Sequence, residues 1–140
     1  MSGNHQKTGK VGEQKAISYL IEKNYQIIET NWRHQKCEID IIASKNKELV
    51  FVEVKTRTNS IISQENLISI SQQQRIIYAA DYYINKNKID LNIRFDLIYV
   101  EKDFKSKIIN LIIKTINKLN NCLEIVKKQG KMENKKHFPF

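Results

Sequence analysis

Two short apolar segments carry ionisable residues at alternate positions. Cys37-Glu38-Ile39-Asp40-Ile41-Ile42-Ala43 holds Glu38 and Asp40, and Glu48-Leu49-Val50-Phe51-Val52-Glu53-Val54-Lys55-Thr56-Arg57 holds Glu53 and Lys55. Both read as β-strands, and the polar Ser44-Lys45-Asn46-Lys47 between them reads as a turn. A hairpin centred on Asn46-Lys47 sets Asp40 opposite Glu53 and Glu38 opposite Lys55. Side chains alternate along a strand, so all four share one face, and Ile39, Ile41, Val52 and Val54 take the other. Glu38 with Lys55 is a favourable cross-strand pair, whereas Asp40 with Glu53 is a like-charge pair that should weaken the sheet. A divalent cation between the two carboxylates removes that cost, and hard oxygen donors suit Mg²⁺ or Mn²⁺. Two carboxylates and a lysine at this spacing fit metal-assisted phosphodiester hydrolysis, with Lys55 orienting water or neutralising developing charge. The competing reading is an amphipathic hairpin whose polar face is simply wet.

A further carboxylate stands out upstream. Ala16, Ile17, Leu20 and Ile21 form an apolar helical stripe within a helix expected from Gly9 to Lys23. Glu13 falls on that stripe, so it faces the core side. It lies at the edge of the core or forms part of a site, unless it is simply a glutamate in the helix's first turn, favoured by the helix dipole.

The elements that must position these groups follow in order. Asn24-Tyr25 ends the first helix. Strands are expected over Gln26–Arg33, Cys37–Ala43 and Glu48–Arg57, with a turn at His34-Gln35-Lys36. Residues 58–70 read as a loop, and Ser71–Asn85 as a helix buried through Ile76, Ile77, Ala79, Ala80, Tyr83 and Ile84. Strands are then expected over Ile93–Val100 and Lys107–Ile113, and a further helix over Thr115–Lys128. The order α-β-β-β-α-β-β with an extra C-terminal helix is a mixed α/β fold with a central sheet flanked by helices. Residues 1–8 are expected to be disordered, 9–113 to form the domain, and 114–140 to be a basic helix and tail. The histidines, His5, His34 and His137, lie in tails and a turn, which argues against a histidine-based triad or metal centre.

The chain carries a net charge of +9, unevenly placed. Ten of its 24 Lys and Arg residues lie beyond residue 101, against three of its 15 Asp and Glu residues. A basic excess points to a polyanionic partner, most often nucleic acid. No apolar run approaches the roughly 20 residues of a membrane span, and the first residues lack a signal-peptide core, so a cytoplasmic protein is expected. Cys37 and Cys122 match no metal spacing and read as reduced thiols.

Glu38-Ile39-Asp40 followed by Val52-Glu53-Val54-Lys55 resembles the D…(E/D)-x-K motif of restriction-endonuclease-like nucleases. The wider set resembles the YraN-like family of uncharacterised bacterial proteins. That set comprises Gly9 through Gly12-Glu13 with Ala16 and Tyr19-Leu20, Asn31-Trp32-Arg33, Glu38 to Ala43, Leu49 to Arg57, Gln74-Arg75-Ile76 with Ala79-Ala80, and Arg94-Phe95-Asp96. The resemblance covers about residues 9 to 113. It implies a restriction-endonuclease-like core akin to Holliday-junction resolvases, with Glu13, Asp40 and Glu53 at metal positions and Asp40, Glu53 and Lys55 at catalytic ones. Gln74 with Tyr78 is similar to a Q-x-x-x-Y helix motif of related nucleases. Two positions depart from the family pattern: Cys37 replaces the usual Gly before E-I-D, and Gln73 replaces a frequent Lys before the helix Gln. The reading is a Mg²⁺-dependent nuclease acting on DNA, with branched DNA as one substrate class and Arg33, Lys36, Arg57, Gln74 and Arg75 as candidate phosphate contacts. The alternatives are a non-catalytic nucleic-acid-binding module that keeps the fold and an interaction protein recognised through its C-terminal helix. Resolvase-like relatives often dimerise, so a homodimer is compatible with this resemblance.

Overall fold

The computed structural model describes residues 3–58, 68–102 and 109–115, with side chains over 9–56 and 68–101. Its elements are α1 (Gly3–Glu22), β1 (Gln26–His34), β2 (Cys37–Lys45), β3 (Glu48–Thr58), α2 (Ile70–Lys86), β4 (Asn92–Lys102) and β5 (Ile109–Thr115). The expected mixed α/β order is present. The helix begins at Gly3 rather than Gly9, so the segment expected to be loose is helical from Gly3. Apolar periodicity marks only the buried part of a helix, and the polar turns ahead of it leave no such trace. The expected C-terminal helix lies outside the described residues, except that Thr115 itself closes β5.

Local chemistry sets the breaks. Asn24 takes a left-handed backbone with positive φ, and the Tyr25 N–H donates to the Leu20 carbonyl at 2.9 Å, closing α1 as a glycine usually would. Asn46 and Lys47 both have positive φ, the tight turn whose twist suits a two-residue hairpin. Ser69 caps α2, accepting the Gln72 N–H, while Gln72 returns a side-chain bond to the Ser69 N–H.

The sheet order is β1-β2-β3-β4-β5, antiparallel throughout except for β3 against β4, which run parallel. The β2–β3 register is the expected one, with Ile41 opposite Val52 and Lys45 opposite Glu48. The expected division into one polar and one core face does not hold. Along β2, β3 and β4 both faces of the sheet carry residues buried under helices. Leu49, Phe51, Ile42 and Phe95 pack under α2, while Val50, Val52, Ile41, Ala43, Ile98 and Val100 pack under Ala16 and Leu20 of α1. The unbroken apolar run Leu49 to Val52 is the pattern of a strand covered on both sides.

The phase also slips along β2. Ile41 belongs to the α1 layer, yet Ile39 and Cys37 belong to the α2 layer. Pairing with β1 continues across the slip, from Thr30 opposite Ile41 to Trp32 opposite Ile39. Between them Asn31 adopts a left-handed backbone, a conformation that asparagine tolerates better than most residues. The slip therefore falls on the rung that holds Asp40.

At the start of β4, Arg94 ties the sheet to the end of α1. Its guanidinium donates to Asp96 at 2.8 Å, to the Tyr25 hydroxyl at 2.7 Å and to Glu48. Burial opposes its charge, but the Asp96 and Tyr25 hydrogen bonds outweigh that and raise its pKa further. The buried Asp96 (4% exposed) is thus a paired charge rather than an isolated one.

α1 crosses β3 at Gly12. A Cβ on Gly12 would overlap the Thr56 hydroxyl and lie 3.2 Å from Thr56 Cβ, which no rotamer can move. Gly9 has open space around the same position. Gly12→Ala is expected to push α1 off β3 and cost about 1–3 kcal/mol in urea denaturation. Gly9→Ala should be neutral or stabilise by about 0.5–1 kcal/mol. Equal effects of the two would show that close approach at Thr56 is not what Gly12 provides.

Candidate active site

The β2–β3 ladder stops one rung short of Asp40 and Glu53. Its last pair is Ile41 with Val52. Continued in the same register, Val54 would face Ile39. Instead the Val54 N–H donates to Asp40 Oδ2 at 2.8 Å. The carboxylate thus satisfies a backbone amide that the parting strands leave behind.

Asp40 lies between two groups of partners. On the α1 side is Glu13, half-buried, hydrogen-bonded to the Asn31 side chain and within the field of Asp40 and Glu38. On the other side is Glu53, which alternates with Val52 and Val54 and so shares the α2 face with Phe51. The side chains of Asp40 and Glu53 are hydrogen-bonded to each other. Lys55 Nζ stands 3.4 Å from Glu53 Oε1, and both side chains are largely covered, at 21% and 16% exposure. The expected Glu38–Lys55 pair is not formed. Glu38 pairs with Arg33 at 3.1 Å, because the slip at Asp40 turns Glu38 toward the α1 side and away from Lys55.

The electrostatics follow from this crowding. Burial and the Glu53 charge push Asp40 up to about 7, against the opposing pull of the Val54 N–H. Burial also raises Glu53, though Lys55 draws it down. Glu13 is raised by burial and by Asp40, with Asn31 acting the other way. Two carboxyl groups in contact cannot both ionise cheaply, so the pair gives up its last proton only as pH rises through about 7.

Among the described residues no three of His, Cys, Asp and Glu converge as a ready-made ligand set. The donors in contact are Asp40 and Glu53, and Glu13 adjoins them through Asp40. Such a hard-oxygen pair, disfavoured when both members are charged, fits a divalent cation. Of the basic candidates, Arg33 is 73% exposed beyond its bond to Glu38. Lys36 is exposed in the β1–β2 turn, and Gln74 and Arg75 are exposed on α2; burial raises the Cys37 pKa, with Arg75 near enough to oppose that rise in part. Arg57 continues β3 in its backbone, and its side chain lies outside the described residues. The Tyr78 hydroxyl donates to Gln35 at 3.3 Å. Sequence reasoning missed Asn31 as a partner of Glu13. An asparagine interrupting a strand-like segment was the available signal, since it tolerates the left-handed backbone found there.

The sign of the pH dependence is fixed by the Asp40 shift. Its folded pKa of about 7 lies above the ordinary 3.8, so the folded chain holds a proton that the unfolded chain has lost over that interval. The contribution is complete below 3.8 and disappears as pH rises through about 7. The metal-free protein should therefore lose stability across that range. Asp40→Asn should flatten the slope and be more stable at pH 8 by on the order of 1–3 kcal/mol. Urea titrations of both proteins across this range would reveal it, and parallel curves would rule out Asp40 as the titrating group.

No helix among the described residues is long and apolar enough to cross a membrane. The model of the uncharacterised protein family UPF0102 matches residues 12–100, which contain Glu13, Asp40, Glu53 and Lys55. A UPF0102 protein of Flavobacterium psychrophilum is 44% identical over 102 residues, covering 72% of this chain and 86% of its own. One of Bacteroides thetaiotaomicron is 44% identical over 97 residues, covering 69% and 80%. The crystal structure of SSO0001 is similar over 93% of this chain and 62% of its own, at 16% identity and a TM-score of 0.42, too distant to bear on the fold. The match across most of the sheet and both helices, with relatives aligned over most of their length, places this chain in the UPF0102 family, the YraN-like group that its motifs resemble.

Proposed function

We propose that this protein is a Mg²⁺- or Mn²⁺-dependent nuclease that hydrolyses phosphodiester bonds in DNA. The observation that carries this reading is the contact between the Asp40 and Glu53 carboxyl groups where β2 parts from β3, with Lys55 beside it. Asp40 and Glu53 would hold the cation, and Glu13 would complete its surroundings from the α1 side. A bound cation supplies a water of lowered pKa and charge stabilisation at the phosphate. The residues of the chain do the rest. The Val54 N–H holds Asp40 in place. Lys55 lies where an ammonium can orient the attacking water or offset charge building on phosphate oxygens. The layers under α1 and α2 limit bulk water around the carboxylates, which strengthens each electrostatic interaction. The chain's net charge of +9 favours a polyanion over a neutral substrate. Exposed Arg33, Lys36, Gln74 and Arg75 are available to its phosphates.

The purified protein should cut linear, flapped or four-way DNA in Mg²⁺ or Mn²⁺ and be inert in chelator. Asp40→Ala and Lys55→Ala should each lower the rate by about a hundredfold or more while DNA binding persists. Tight binding without cleavage of any of the three substrates in either metal would instead assign the fold to a non-catalytic binding module.

A further inference from the structure

Tyr99 presents a polar group with no role in the fold. It is 7% exposed on β4, and its hydroxyl has no hydrogen-bond partner among the described residues. A buried, unpaired hydroxyl costs about 1–3 kcal/mol relative to one that is bonded. Phenylalanine would fill the same space without that cost, so the hydroxyl calls for an explanation.

Its position supplies one. In the parallel β3–β4 ladder Tyr99 lies directly beside Lys55, as Leu97 lies beside Glu53. Registered neighbours on adjacent strands project from the same face, about 4.8 Å apart. Lys55 and Tyr99 therefore rise side by side on the α2 face, with similar reach. Lys55 contacts Glu53 at 3.4 Å, longer than the roughly 2.7–2.9 Å of a strong charge-assisted bond. Glu53 is also the group that the proposed function commits to a cation. Once its charge is engaged there, a largely covered ammonium needs another acceptor, and an amine cannot be left unpaired in such a place at low cost.

We infer that Tyr99 is a positioning residue for Lys55, its buried hydroxyl accepting the Lys55 ammonium when Glu53 is engaged by a divalent cation. This rests on the nuclease-like reading of the site. The phenol is too enclosed to touch a substrate itself. It holds the lysine at the edge of the site.

Tyr99→Phe removes the hydroxyl and keeps the ring, and thermal unfolding with and without Mn²⁺ reads the effect. Without metal the variant should be as stable as the parent or more stable. A clear loss there would mean that the hydroxyl is already bonded in the unloaded fold, overturning the inference. Mn²⁺ should raise the parent's Tm and raise the variant's distinctly less. Equal gains in the two proteins would also overturn it, while leaving the metal reading intact. No gain in either would remove the metal reading, and the role of Tyr99 with it. In the cleavage assay the variant should lose about tenfold in kcat with KM little changed, whereas an unaltered kcat would count against the inference.

Discussion

A carboxylate occupies a place in the sheet where a strand carbonyl would otherwise be. Asp40 Oδ2 takes the Val54 N–H at the point where β2 leaves β3, and the candidate site depends on that bond. It lets the two strands part without orphaning the amide, which would be costly in a covered sheet. It also fixes the carboxyl group against backbone rather than against another flexible side chain. A reacting or metal-binding group has to be held within fractions of an ångström, and a strand amide is among the most rigid supports available. The same bond favours the ionised form of Asp40. Burial and Glu53 nevertheless prevail and raise its pKa. The fold therefore holds the carboxylate firmly in a place where its charge is unwelcome.

The scaffold bears that conflict by keeping it local. Arg94, Asp96, Glu48 and Tyr25 form a paired charge network at the opposite end of β3, where Glu48 begins the strand. Between the two ends lie Leu49, Val50, Phe51 and Val52, each about 1% exposed or less and packed alternately under the two helices. Full burial of side chains of this size contributes about 1.5–3 kcal/mol each. Gly12 adds the geometric condition, since α1 can come close enough to set Glu13 beside Asp40 only where no Cβ intervenes.

The parts that were legible in the sequence are those governed by local rules. Asn46-Lys47 set the hairpin register, because a two-residue turn leaves one pairing. Asn24, and the apolar face of α2 from Ile76 to Ile84, followed from end signals and period. The assignment of faces was not legible. Strict alternation joined Ile39 to Ile41 and Glu38 to Lys55, but the backbone at Asn31 slips the phase on the Asp40 rung. That slip gives Glu38 to Arg33 and leaves Lys55 to Glu53. A positive φ inside one strand leaves no mark in the hydrophobic pattern, nor does the interaction of Asn31 with Glu13. The second covered face escaped alternation for a related reason. It depends on where α2 returns after β3, a property of topology rather than of the strand.

Glu53 shows why these departures concentrate in one place. Lys55 draws its proton off and burial puts it back, while Asp40 beside it competes for the same proton. Each neighbour satisfies Glu53 in part and none satisfies it wholly, as the long 3.4 Å separation from Lys55 records. Elsewhere in the described structure, turn residues, caps, core packing and paired charges agree with one another. Among the described residues, local consistency is thus broken chiefly at the ionisable groups around Asp40 and Glu53. The conflict is also specific in chemistry. It sets hard carboxyl oxygens close together with an ammonium beside them, a donor type that suits a small divalent cation better than a neutral ligand.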